Sequence, residues 1–260
     1  MKKYALGIEY SGSGYSGWQR QKHSQSVQAQ VEDALGYVAN HPVQLVCAGR
    51  TDTGVHAVEQ VVHFETDAIR DNRAWILGAN CKLAKDIRLK WVTQVDNDFH
   101  ARFSAVARSY RYIILNSKVT SALFYDKVCW EHHPLDHEKM HHAAQLLIGD
   151  HDFSAFRAAG CQSNSPNRSV HSITVKRQGE VILFDIKANA FLYHMVRNIA
   201  GSLIEVGKQQ KPAQWFAEVF AGRDRARAAK TAPASGLYFV QAHYPEQFNL
   251  PAEGKKPVLF

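Results

Sequence analysis

The stretch Val43-Gln44-Leu45-Val46-Cys47-Ala48-Gly49-Arg50-Thr51-Asp52-Thr53-Gly54-Val55-His56-Ala57-Val58-Glu59-Gln60-Val61-Val62-His63-Phe64 decides how the chain is read. Two apolar runs, 43–48 and 58–64, flank a polar loop with a glycine near each end. In the second run Val61, His63 and Glu65 alternate against Val62 and Phe64, the two-residue period of a strand. The first run reads as a shorter strand. Glycine lets backbone take positive φ or approach a ligand closely, and loops held by a rigid scaffold are where chemistry concentrates. In extended backbone, residues two apart point the same way. Arg50 and Asp52 then share one side, where the guanidinium can hold the carboxylate ionised. A turn with a local ion pair fits the same residues, so the loop gains a function only from its context.

Before this stretch, residues 4–9 read as a strand and Ser26 caps a helix carrying Val27, Val31, Ala34, Leu35 and Val38. After it, Asp67 or Asp71 caps a helix through Ala74, Leu77 and Ala79, and 87–95 reads as a strand. The order β-α-β-β-α-β is the ferredoxin-like pattern. The glycine- and serine-rich loop 10–21 lacks the Gly-Lys-Ser/Thr ending of a P-loop. Its aromatics, amides and Arg20 suit stacking and phosphate contact with RNA; a structural loop over a buried Trp18 suits them equally.

The second half repeats the order of elements without evident sequence repetition. In the strand 107–115, Arg108, Tyr110 and Tyr112 alternate with Ser109, Arg111 and Ile113. An arginine beside an aromatic suits stacking on a splayed base, while cross-strand packing accounts for at least one tyrosine. Asp136 caps a helix bearing Met140, Ala143, Ala144 and Leu147. That helix opens on His137-Glu138-Lys139-Met140-His141, a formal zinc motif, but in its first turn and with no third ligand at a recognised spacing. Solvated histidines are the better reading, and no metal is expected. Residues 149–156 read as a tight turn held by Asx bonds. A hairpin, 171–177 and 181–188, turns at Gln178-Gly179. A helix opens at 191–199 and runs to Val206 and Gly207, with Arg197 at the margin of its apolar stripe. A short helix over 212–220, a basic flexible loop over 223–235 and a closing strand 236–240 follow. The fold class is therefore α+β. Two ferredoxin-like halves, 1–104 and 105–245, would join into one extended, mainly antiparallel sheet with helices on one face and a central catalytic cleft. Residues 246–260 read as a weakly ordered tail.

Lys and Arg total 31 against 24 acidic residues in a chain of 260, a net charge of +7 that favours a polyanionic partner. The four cysteines, Cys47, Cys81, Cys129 and Cys161, form no CxxC pair, so a disulfide or zinc-ribbon framework is not expected. The apolar run after Lys2 and Lys3 is too short for a signal peptide, and no run of about 18 apolar residues exists. A cytoplasmic protein without membrane contact is expected.

Five blocks, Gly14 to Gln21, Ala48 to Ala57, Phe99 to Tyr112, Phe191 to Asn198 and Gly236 to Phe239, together resemble the tRNA pseudouridine synthase A family, enzymes of the anticodon stem-loop. The resemblance runs to about Tyr244. It implies isomerisation of uridine to pseudouridine at positions 38, 39 and 40 of tRNA by a homodimer, with no cofactor or metal. Asp52 would be the nucleophile, at C1′ of the ribose or at C6 of the base. The resemblance further implies that Arg197 pairs with Asp52 and that Tyr110 stacks on the extruded uracil. Arg50 would fill the space the base leaves or bind phosphate, and Leu237 would line the pocket. A non-catalytic RNA-binding module is the alternative, weakened by the lack of an RNP1-type stretch. A zinc hydrolase built on His137 and His141 is a second.

Overall fold

The computed structural model describes residues 1–251 and 257, and the chain folds as two compact units. The first comprises Met1–Arg108 and the chain from Tyr238; the second is Ser109–Leu237.

In the first unit β1 (Lys2–Tyr10) lies between two antiparallel neighbours, β3 (His56–Thr66) and β4 (Ile87–Val95). Leu6 sits opposite Val62 on one side and Val92 on the other. The far side of β3 takes two partners. β2 (Val46–Cys47) pairs antiparallel at Val62 and His63, and β10 (Leu237–His243) pairs parallel, Tyr238 to His56 and Phe239 to Ala57. The strand expected over 43–48 is thus only two residues long, because Gln28 and Glu32 on the first helix bond the Leu45 backbone that a ladder would otherwise use.

Helix α1 (Val27–Ala39) starts at Ser26, whose hydroxyl accepts from the Ala29 amide, and buries Val27, Val31, Ala34 and Leu35 at helical spacing. Helix α2 (Asn72–Lys82) starts at Asp71, which wins over Asp67 because its carboxylate accepts from the Ala74 amide. Tyr4, Phe64 and Trp75 form an aromatic cluster in the core, with centroids 5.2 to 5.8 Å apart. In the tail, Phe248 meets Phe99 edge-on at 5.2 Å in a 3-10 turn, Glu246–Phe248. The rest of the expected tail, 252–256 and 258–260, lies outside the described residues.

In the second unit the strands run in the order β5 (Ala107–Asn116), β9 (Val181–Ala188), β8 (Asn167–Gln178) and β7 (Gly149–Asp152). β6 (Cys129–Glu131) adds in parallel to the end of β5. The hairpin closes at Gln178 opposite Val181, with Gly179 at φ +58. Ile182, Phe184, Ile186 and Ala188 are the buried side of the alternation. The segment expected as a turn at 149–152 is a short strand, although Asp152 does accept from the Ser154 amide as an Asx bond. Helix α3 (His137–Gln145) begins at Asp136, helix α4 spans Met195–Gly207, and α5 spans Ala213–Gly222. The start of α4 falls later than 191 because His194 adopts left-handed backbone and stands as its cap residue. Both units are mixed α+β with mainly antiparallel pairing.

Candidate active site

The Asp52 loop is built from backbone. Asp52 C=O accepts from the Val55 amide at 3.1 Å, closing a four-residue turn. Gly54, its third residue, has φ +78, the position where a type II turn demands glycine. The entry is tied by Ala48 N–H to Val61 C=O, by Arg108 to the Ala48 carbonyl and by the Gln60 amide to the Gly49 carbonyl. Thr51 points inward, where its hydroxyl meets Tyr10 Oη at 2.7 Å, and its carbonyl accepts from Trp18 N–H at 2.9 Å. With Thr51 buried, Arg50 is left exposed and Asp52 half-buried.

The glycine-rich loop 10–21 is the second wall of this turn. A Cβ on Gly12 would overlap the Val55 carbonyl, and one on Gly17 would lie 2.7 Å from the Thr51 carbonyl, with Gly17 already at φ +89. Gly12 N–H also donates to His56 Nδ1 at 3.1 Å, and His56 stacks on Tyr238 at 4.7 Å. Trp18 is 1% exposed and Tyr15 is buried, so the structural role read for this loop is present. Arg20 is engaged by Glu32 and Asp33. The missed residues here are Gly12, Gly17 and Thr51. Glycine spacing alone carries no signal of what a missing side chain makes room for.

The second unit carries Tyr110, Arg197 and Leu237. Tyr110 is half-buried on β5, its ring edge-on to Phe191 at 4.8 Å. Of the two tyrosines Tyr112 is the packing one, with no exposure and its hydroxyl donating to Pro233 C=O at 2.8 Å. Arg111, on the opposite face, forks onto Asp185 at 2.7 and 2.9 Å. Arg197 sits in the first turn of α4 and donates from Nε to Ala232 C=O at 2.8 Å, while Ala232 N–H returns to Arg197 C=O. Leu237 is buried just after a 3-10 turn, Ala234–Gly236.

The loop expected to be flexible over 223–235 is anchored. Buried Asn198 donates to Phe156 C=O and accepts from Arg225 and Thr231. Gly201 leaves room for the Lys230 carbonyl. Arg225 is therefore spent on structure rather than open to phosphate. At the formal zinc motif, His141 Nδ1 faces the Val175 amide at 3.3 Å and the Gln145 amide at 3.2 Å. His137, Glu138 and His141 do not converge as a ligand set among the described residues.

Class comes first from these observations: an α+β protein that offers a fixed carboxylate on a clamped polar turn. The family follows from known proteins. Residues 7–104 and 143–245 match the family model described as tRNA pseudouridine synthase. A tRNA pseudouridine synthase A of Hydrogenovibrio crunogenus is 58% identical over 251 residues, 96% of each chain. One from Actinobacillus pleuropneumoniae is 56% identical over 256 residues, 98% of each chain. One from Salmonella newport is 55% identical over 256 residues, 98% of this chain and 95% of its own. The chain belongs to the tRNA pseudouridine synthase family, and it is an isomerase that forms pseudouridine in tRNA. No helix among the described residues is long and apolar enough to cross a membrane.

Proposed function

We propose that the chain isomerises uridine at positions 38, 39 and 40 of the anticodon stem-loop, with Asp52 as nucleophile. The observation that carries this is the Asp52 turn: its backbone is tied on both sides while the carboxylate is left half-exposed. The N1–C1′ bond breaks, the uracil turns, C5 bonds to C1′, and the C5 proton leaves while N1 gains one. Asp52 attacks either C1′ or C6 and departs before product release, so nothing is consumed. No second carboxylate stands beside Asp52 in the motif, unlike the paired acids of glycosidases.

Tyr110 stacks on the extruded base and takes part in removing the C5 proton. Arg197 holds the reacting carboxylate charged, Arg50 contacts the flipped nucleotide or its phosphate, and Leu237 lines the base pocket. Base extrusion costs a few kcal/mol, roughly, which stacking and charge contacts offset. The protein works as a cytoplasmic homodimer without metal or cofactor; the family resemblance supports the dimer, and light scattering tests it.

Tritium release from 5-tritiated uridine in tRNA tests the chemistry. Asp52→Asn is expected to lower release by about a thousandfold or more while tRNA binding survives. Release at the wild-type rate in that variant removes Asp52 as nucleophile.

A further inference from the structure

We propose that Glu131, His132 and His133 form a surface site for a divalent transition metal of the zinc type, separate from the isomerase chemistry. One ligand-type atom from each of the three lies within 4.8 Å of the others. Glu131 Oε1 stands 2.9 Å from His133 Nδ1 and 3.6 Å from His132 Nδ1. Two donors on a tetrahedral zinc, each bonded at about 2.1 Å, are about 3.4 Å apart, so the observed spacings bracket what one ion needs. Two imidazoles and a carboxylate are a donor set that zinc accepts, with a further position left to water.

The site is set up in advance by its backbone. β6 ends at Glu131, and the chain then bends so that the His133 amide donates to Glu131 Oε1 at 2.8 Å. Asn116 holds both flanking carbonyls, of Glu131 at 2.9 Å and His133 at 2.7 Å. The two imidazoles lie 3.8 Å apart between centroids, and their side chains are 56% and 48% exposed, so an ion has access from solvent.

Lys208 is the opposing feature. Its ammonium lies 2.8 Å from Glu131 Oε2 and 3.5 Å from Glu205. It occupies the second carboxylate oxygen and leaves Oε1 for the ion, with Glu205 balancing part of its charge. A bound ion replaces the His133 Nδ1–Glu131 contact, with that ring carrying its proton on Nε2. The site differs from the HExxH segment, whose His141 Nδ1 already faces backbone and Gln145 amides.

The test uses the full chain without a polyhistidine tag, stripped with chelator and titrated with zinc alone by calorimetry. One saturable zinc per chain is expected, with a rise in melting temperature on binding. His132→Ala/His133→Ala should weaken that affinity by about tenfold or more. A His137→Ala/His141→Ala chain should keep it. Melting curves without metal show whether each variant is folded, and Lys208→Gln should bind zinc more tightly than wild type. Equal zinc affinity in the wild type and the His132→Ala/His133→Ala chain, or no saturable binding in the wild type, overturns the site.

Discussion

Two loops are held still in this molecule by opposite means. The Asp52 turn in the first unit is fixed mainly by backbone lying against backbone, with Gly12 and Gly17 in positions that leave no room for a Cβ and with Arg108 and Gln60 tying its entry. The segment 225–232 in the second unit is fixed by side chains gathered on one buried amide, Asn198. A backbone clamp sets the direction of neighbouring side chains, and here it leaves Arg50 exposed and Asp52 half-buried. A side-chain hub uses up the groups it gathers, and Arg225 is one of them. The contrast suits the first loop to the role proposed for Asp52.

Substitutions can break this contrast. Gly17→Ala should be the most damaging. It forces a side chain into φ +89 and toward the Thr51 carbonyl, costing about 3 kcal/mol or more and lowering turnover by a large factor. Denaturant melts with tritium-release rates measure both, and wild-type kcat in Gly17→Ala would dissolve the clamp idea. Asn198→Leu should cost about 2–3 kcal/mol by stranding the Phe156 carbonyl and the Thr231 hydroxyl. Its main effect should be on stability. An equal loss of kcat in the folded variant would erase the difference between the two loops.

Acid should weaken the first unit. His63 is buried in the first unit, accepts from the Ala101 amide, and is pushed down to about 4 by burial, then by His100 and Lys3. Between about pH 6.5 and 4 the unfolded chain binds a proton that the folded chain refuses. Stability from this residue is thus complete above that window and lost as pH falls through it, by about 1–3 kcal/mol. Melts from pH 7 to 4 should show the slope, and His63→Gln should flatten it. The smallest effect is expected for Thr51→Val. It removes the Tyr10 bond at 2.7 Å for about 1 kcal/mol, with a modest fall in kcat that would sharpen how much of the clamp is side chain.

Periodicity and capping made much of the fold legible. The alternation of 181–188, the Ser26 and Asp136 caps and the order of elements from β1 to β4 stand as read, because each is decided within a few residues. The rest depends on distant partners. The run at 43–48 is apolar enough for a strand, yet α1 side chains claim the Leu45 backbone. Residues 149–152 look like a turn until β8 supplies a ladder. The run 191–194 has helical composition, but His194 at φ 58 sets the boundary. β6 is too short for any period to register. For the site, the polar loop and Asp52 were visible as residue types in a pattern. The steric role of Gly12 and Gly17 was not, since it depends on the carbonyls of Val55 and Thr51, far along the chain.

The Trp18 amide donates to Thr51, and the Val27 and Gln28 amides donate to Gly17 and Trp18. The Trp18 proton sits outside the Asp52 loop yet is held by that loop's Thr51 carbonyl. In heavy water, a peptide covering 15–20 should take up deuterium in step with one covering 49–56. Mass spectrometry of that early peptide would then serve as a remote gauge of the Asp52 loop's opening, read from a stretch outside it.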